Sequence, residues 1–303
     1  MGRGRHDERS ARVGLARRRL REGDSAVLAG RLPEAADLYA VAAYELDGLD
    51  LTDPDVAALS PPALAGHGGV DLELGNPRRA LGTLTGALDL AEPGTVLHAT
   101  VFVGHACALR DTGALDEAIA VFGDAPAVQR AVDRCGEAVV RTLDELSRAL
   151  RLRGDGRAAA RAAREAVEPA GRLAPGGLAA AVSHHCLWQA LDDLGRADDA
   201  EAHLTLLLRH APDASATADA VDRWCEGVLA REGATDALPR LDRHLAVIRP
   251  QAPAHRSWAC CCCGAGAGRP GGGPVAARRV TPSAGQLRAG PVRIVAHPGR
   301  QST

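Results

Sequence analysis

The chain is 303 residues long and 46% apolar, and its apolar material is dominated by 61 Ala and 37 Leu against 3 Ile, 2 Phe and 2 Tyr. That palette favours helices and lacks strand formers, so an all-β fold is excluded. The formal charge is −2 and all 36 basic residues are Arg, which removes chemistry that needs a lysine amine: a phosphate-loop lysine, a pyridoxal Schiff base or a Ser-x-x-Lys pair.

Residues 1–22 are a basic lead-in that runs into the first helix, with 8 Arg against Asp7, Glu8 and Glu22. No apolar stretch follows them as a secretory or twin-arginine signal would require, and a cytoplasmic protein is expected. Six stretches then read Gly, a short turn, Ala, and apolar positions at helical spacing. They begin at Gly30, Gly75, Gly113, Gly154, Gly195 and Gly233, in steps of 45, 38, 41, 41 and 38 residues. Five residues after each Gly stand Ala35, Ala80, Ala118, Ala159, Ala200 and Leu238, and twelve after it stand Ala42, Ala87, Ala125, Ala166, Leu207 and Leu245.

Each glycine is predicted to end one helix in a left-handed cap before the next helix begins, which makes a helical hairpin. The small residues let its two helices approach, while Leu38, Tyr39, Leu84, Val121, Phe122, Leu204 and Leu241 fill the space between neighbouring hairpins. One hairpin cannot bury both of its faces, so the hairpins must stack. The longest uncharged stretch, 173–191, holds Pro175, Gly176, Gly177, His184, His185 and Gln189 and is too polar for a bilayer span, so no membrane helix is predicted.

The chain changes character after Pro250. Residues 251–303 carry 7 Arg, nine Gly, six Pro, one Leu and no acid, so the repeat domain is set at 10–250 and the tail is expected to be disordered. The run Cys260 to Cys263 lies in this tail. In a GC-rich gene a leucine run written in CTG codons reads as cysteine after a one-base slip, so the tail is also consistent with a frame-shifted seventh hairpin. Its arginines could draw it weakly to nucleic acid, but stacking aromatics are missing.

The recurrent stations resemble the tetratricopeptide repeat family in its longer, kinesin-light-chain-like form of about 40 residues. The best match holds Ala106, Gly113, Ala118, Phe122 and Ala125, followed by Gly23, Gly30, Ala35, Tyr39 and Ala42, with Pro212 and Pro250 as closing prolines. Trp188 stands where the family has a small residue, and Leu238 replaces a packing Ala. Pro61-Pro62 and Gly66-His67-Gly68-Gly69 predict distortion where the second hairpin opens. The resemblance implies an all-α, right-handed superhelix of about six hairpins whose first helices line a concave groove that grips a peptide or a partner's helix, without catalysis. In actinobacterial-looking chains, such arrays also serve as sensor or docking parts of larger regulators.

Transposed onto this chain, the family's groove stations fall on Thr100, Val103, Cys107 and Arg110, on Arg141, Asp144, Arg148 and Arg151, on His185, Gln189 and Asp192, and on Arg223 and Arg231. The partner-binding set expected from these is Arg110, Arg141, Asp144, Arg148, Arg151, His185, Gln189 and Arg223. Arg141, Arg148 and Arg151 share one helical stripe, and guanidinium forks suit carboxylates, which points to an acidic peptide. The other reading of the same residues is an ordinary solvated face with i,i+4 pairs Arg141–Glu145 and Asp144–Arg148. Family members that bind chaperone tails use Lys and Asn, whereas this chain has no Lys and a single Asn, at position 76.

No cofactor or metal is expected. His184, His185 and Cys186 are consecutive and point about 100° apart on a helix, so they cannot converge on one ion. His98 with His105, and His203 with His210, share faces but lack a third ligand. No Gly-x-Ser-x-Gly elbow occurs, and nothing but residue type recommends Cys107 or Cys225 as a nucleophile. The Gly266-x-Gly268-x-x-Gly271 pattern lacks the flanking strand and helix of a nucleotide site. Eight Cys without a disulfide framework read as reduced thiols. The expected function is a non-catalytic protein- or peptide-binding scaffold, with a ligand-sensing or docking module of a bacterial signalling or transcriptional regulator as the alternative.

Overall fold

The computed structural model describes residues 2–132, 136–173 and 177–210, together with Trp224, Val228 and Ala230. Among the described residues there are ten α-helices and no strand: α1 (Gly2–Leu28), α2 (Leu32–Leu46), α3 (Pro54–Glu73), α4 (Pro77–Leu90), α5 (Val96–Thr112), α6 (Leu115–Val132), α7 (Glu137–Arg153), α8 (Gly156–Leu173), α9 (Leu178–Asp193) and α10 (Ala197–His210). They fall into two compact units, the first ending at Asp155 and the second beginning at Gly156.

Five of the six predicted hinges lie in this region and turn alike. Gly30, Gly75, Gly113, Gly154 and Gly195 have φ between 71° and 92°. At Gly113 its own N–H donates to the Arg110 carbonyl at 3.0 Å and the Ala114 N–H to the Leu109 carbonyl at 2.9 Å. The same pair of bonds recurs at the other four glycines, the double closure that satisfies the last carbonyls of a helix. A Cβ at Gly113 would meet nothing within 4 Å, so the left-handed backbone, not space, is what demands glycine there. The following helices start with matching signals, such as Pro33 and Pro77 in the first turns of α2 and α4.

In the first unit α1, α3, α5 and α7 pack on one another in succession, with no comparable packing among α2, α4 and α6. The odd helices therefore form the tighter inner layer. Ala35, Ala42, Ala80, Ala87, Ala118 and Ala125 are fully buried, as their stations require. At Gly30, Gly75 and Gly113 the station seven before the hinge is small and the one nine after it is large. Gly23 meets Tyr39, where a Cβ would come within 2.9 Å of the ring, and Gly68 meets Leu84, where it would come within 2.5 Å. Tyr39 also reaches the next hairpin, since a Cβ on Gly66 would lie 2.6 Å from the same ring. The tyrosine is thus held between α1 and α3, and its hydroxyl donates to Asp24 Oδ1 at 2.7 Å. Burial and the neighbouring Asp24 carboxylate push its phenol pKa well up.

The distortion expected at Pro61 and Pro62 is absent, because α3 runs unbroken through both prolines. Ser60 Oγ bonds the Val56 carbonyl there at 2.8 Å, and the glycines that follow admit Tyr39 and Leu84, so they serve close packing, not looseness. Leu38 and Val121 are only half-buried, at the edge of the core. The basic lead-in is part of α1, and Arg12 caps α2 through the Tyr44 and Asp47 carbonyls at 3.3 and 3.0 Å. Arg9 and Arg17 pair with Asp53 and Asp55 at the start of α3, so much of the lead-in's charge is used within the fold.

In the second unit α9 packs on both α8 and α10. The buried face of α8 is alanine throughout, with Ala159, Ala163, Ala166 and Ala170 fully buried, while Leu187, Trp188 and Leu191 on α9 and Leu204 and Leu207 on α10 supply the bulk. Trp188 leaves α9 regular and is itself buried. The sixth hinge at Gly233, with Leu238, Leu241 and Leu245, and the whole tail lie outside the described residues. No helix among the described residues is long and apolar enough to cross a membrane.

Candidate functional site

The arginines predicted on α5 and α7 do converge, and they converge on an acid that sequence reasoning had assigned to a local pair. Positions 141, 145 and 148 share a face of α7 by their spacing of four and three, and Arg110 ends α5 on the adjoining helix. Glu145 accepts from Arg110 Nη1 through Oε2, and from Arg148 Nη1 through Oε1 at 3.1 Å. Arg110 Nε donates to Asp111 Oδ1 at 2.8 Å. The side chains of Arg110, Glu145 and Arg148 retain only 11%, 10% and 18% of their exposure, and Asp144 beside them is buried. The face is therefore not the solvated surface of the second reading.

Burial works against the Glu145 charge, but Arg148 and Arg110, with Arg141 behind them, outweigh it and hold its carboxyl below the usual range. The reciprocal effect keeps Arg110 charged: burial disfavours its cation, and Glu145 more than restores it. Cys107, one turn before Arg110, has its thiol pushed up to about 12 by burial and by Glu145, so it stays protonated near neutrality and is a poor nucleophile. The array can hold carboxylates between guanidinium groups, and it contains no activated attacking group.

Other predicted positions fall differently. Val103 does not line an open face: it is buried in the cluster formed with Ala106, Leu109 and Phe122. Thr100 Oγ1 bonds back to the Val96 carbonyl at 2.8 Å. Arg141 and Arg151 are half-buried on α7. His185 and Gln189 belong to α9 of the second unit, where His185 is buried with its ring 5.6 Å from that of Trp188 and Gln189 is half-buried. Arg223 and Arg231 lie outside the described residues.

Glu145 was legible as a neighbour of Arg141 and Arg148, but its pairing with Arg110, 35 residues away, needed the register of α5 on α7. The histidines also pair in a way the sequence did not suggest. His184 Nδ1 lies 3.1 Å from His203 Nδ1, with ring centroids 5.3 Å apart. Burial, and then Arg164, hold the His203 pKa down. Among the described residues no group of three or more His, Cys, Asp or Glu could hold a metal ion.

No family model and no curated protein matches the chain. Solved structures share its fold. BtubC (BKLC) from P. vanneervenii is 15% identical, with 83% of this chain and 99% of that one covered and a TM-score of 0.56. A Podosopora anserina protein of nearly identical TPR-like repeats, of the kinesin light chain kind, is 17% identical, with 67% and 98% covered and a TM-score of 0.53. A Rap protein complexed with Competence and Sporulation Factor is 14% identical, with 80% and 72% covered and a TM-score of 0.54. At these identities the likeness is one of fold, and the chain has a tetratricopeptide-like repeat fold.

Proposed function

We propose that the protein is a non-catalytic repeat scaffold that binds a protein or peptide partner on its first-helix face, and that the partner presents acidic side chains. The observation that carries this reading is the pairing of Arg110 from α5 and Arg148 from α7 with the single carboxylate of Glu145. Guanidinium groups held at the edge of a packed helix layer suit carboxylate recognition. We assign Asp144, Arg151, His185, Gln189 and Arg223 to the same binding role, residues 10–250 to the repeat domain and 251–303 to a tail, and we place the protein in the cytoplasm.

The Rap likeness favours a second reading, a docking or sensing module of a regulatory protein, because that protein is complexed with Competence and Sporulation Factor. A pull-down from the source cell separates the two. A protein partner retained by wild type and lost on Arg148→Glu with Arg151→Glu supports the scaffold. A small molecule that raises Tm while no protein is retained supports the sensor and contradicts the scaffold.

A further inference from the structure

Many arginines of the fold are matched to acids, as Arg9, Arg17, Arg79 and Arg196 are. The exposed face of α8 breaks this habit. Arg157, Arg161 and Arg164 all stand open to solvent, and none has a salt-bridge partner among the described residues. Steps of four and three place them within about 60° of the helix circumference, along about 10.5 Å of its axis. The other charges of α8 are Glu165, Glu168 and Arg172, four cations to two acids in all, and Glu168 is already held by Arg172 at 2.9 Å. On α10, which packs on the same α9, the acids are Asp198, Asp199 and Glu201, and Arg196 holds Asp199 at 2.7 Å. Three unmatched guanidinium forks in a row suit a row of anionic oxygens.

What surrounds the stripe selects among polyanions. α8 exposes no large apolar side chain, whereas a protein interface is centred on apolar and aromatic anchors. Its opposite face is alanine packed into the unit, so it has no apolar side to sink into a lipid interface, as a membrane-surface helix does. Nor does α8 carry an aromatic on which an unpaired base would stack. A duplex backbone asks for none of these: it presents its phosphates in a line, and arginines alone hold it. We propose that Arg157, Arg161 and Arg164 of α8 bind the phosphate backbone of a nucleic-acid duplex, without reading its sequence. The site is independent of the α5 and α7 face and of the partner proposed there. With a net charge of −2 the chain exerts no long-range pull on a polyanion, so the contact is local, weak and strongly dependent on salt. Three neutralised phosphates correspond to a log–log salt slope of about −2.7, a loss of affinity of about 40-fold between about 50 and 200 mM salt.

The test is fluorescence anisotropy of the full chain with a fluorescein-labelled DNA duplex of about 20 base pairs over that salt range. Arg157→Gln, Arg161→Gln and Arg164→Gln should each reduce the slope by about one, and the triple substitution should remove binding. Arg31→Gln, whose charge is matched by Glu34, should leave the slope unchanged. The three arginines are exposed and unmatched, so the variants should keep the wild-type Tm, which shows that lost binding is not lost folding. The Arg-rich tail is present in every variant, so duplex binding that survives the triple substitution would place the contact elsewhere and overturn the proposal. No duplex binding at the lowest salt would overturn it too. So would tighter binding to phosphatidylserine vesicles or to hexaglutamate than to the duplex, which would assign the stripe to a membrane or to an acidic protein.

Discussion

The two units solve one packing problem with the bulk shared differently among the helices. In the first, the station seven residues before the hinge is Gly23, Gly68 or Ala106, and the station nine after it is Tyr39, Leu84 or Phe122, so the second helix drives a large side chain toward a small one. In the second, the station before Gly195 is Trp188 and the buried face of neighbouring α8 is alanine. At Gly195 both stations are large, Trp188 and Leu204, and the small residues stand on the preceding helix, a redistribution of the kind that well-packed cores tolerate. A departure from a family pattern at one station is thus compensated in an adjoining helix, and does not by itself mark a distorted end.

Breaking the bulky partner on either side should have the largest effect. Phe122→Ala and Trp188→Ala should each cost about 3–5 kcal/mol in denaturant unfolding, with local loss of protection confined to the unit that carries the substitution. Equal losses in both units would mean that the two do not unfold separately. Next, filling the small partner should collide with the large one. Gly66→Ala should cost about 1–3 kcal/mol through the Tyr39 ring, and Tyr39→Leu should make the same change nearly neutral in a double-mutant cycle. Gly113→Ala should cost about 1–2 kcal/mol for a different reason, the left-handed backbone, and no change at Phe122 should recover it.

Acid sharpens the comparison more gently. Burial holds His67 and His105 of the first unit and His203 of the second below the ordinary histidine value, although Asp71 pulls His67 the other way. These groups stay neutral when folded, whereas the unfolded chain takes up their protons near pH about 6.5. Their contribution is therefore complete above that value and is lost as pH falls, so Tm should decline on going from pH 7.5 to 5.5. His203→Gln should flatten the decline only in probes of the second unit. The smallest effect belongs to exposed pairs such as Arg172–Glu168, 2.9 Å apart at i,i+4, where Arg172→Ala should change stability by less than about 0.5 kcal/mol.

The hinges, the buried alanines and the aromatic knobs were legible in the sequence because each is fixed by a local requirement repeated at a regular interval. Gly113 must be left-handed, and Ala118 and Ala125 must be small, whatever lies further off. The features that escaped depend on how one helix registers against another. Arg110 and Glu145, like His184 and His203, meet across helices, and helical periodicity says nothing of that register. Val103 was placed by transposing a family station and proved to face the Phe122 cluster. Gly48, Gly94 and Gly136 also adopt positive φ, in the turns between successive hairpins, and were missed because those turns vary in length and do not share the hinge spacing.

The central claim, that glycine-hinged hairpins stack by seating each large side chain against small residues of its own and the next hairpin, is tested most directly at Tyr39. Its ring lies against Gly23 of α1 and Gly66 of α3, so in NMR spectra the α-protons of both glycines should be shifted upfield by the ring current and return toward ordinary glycine values together in Tyr39→Leu. Ordinary shifts in wild type, or a response at Gly23 alone, would show that the ring does not bridge the two hairpins and would contradict the stacking.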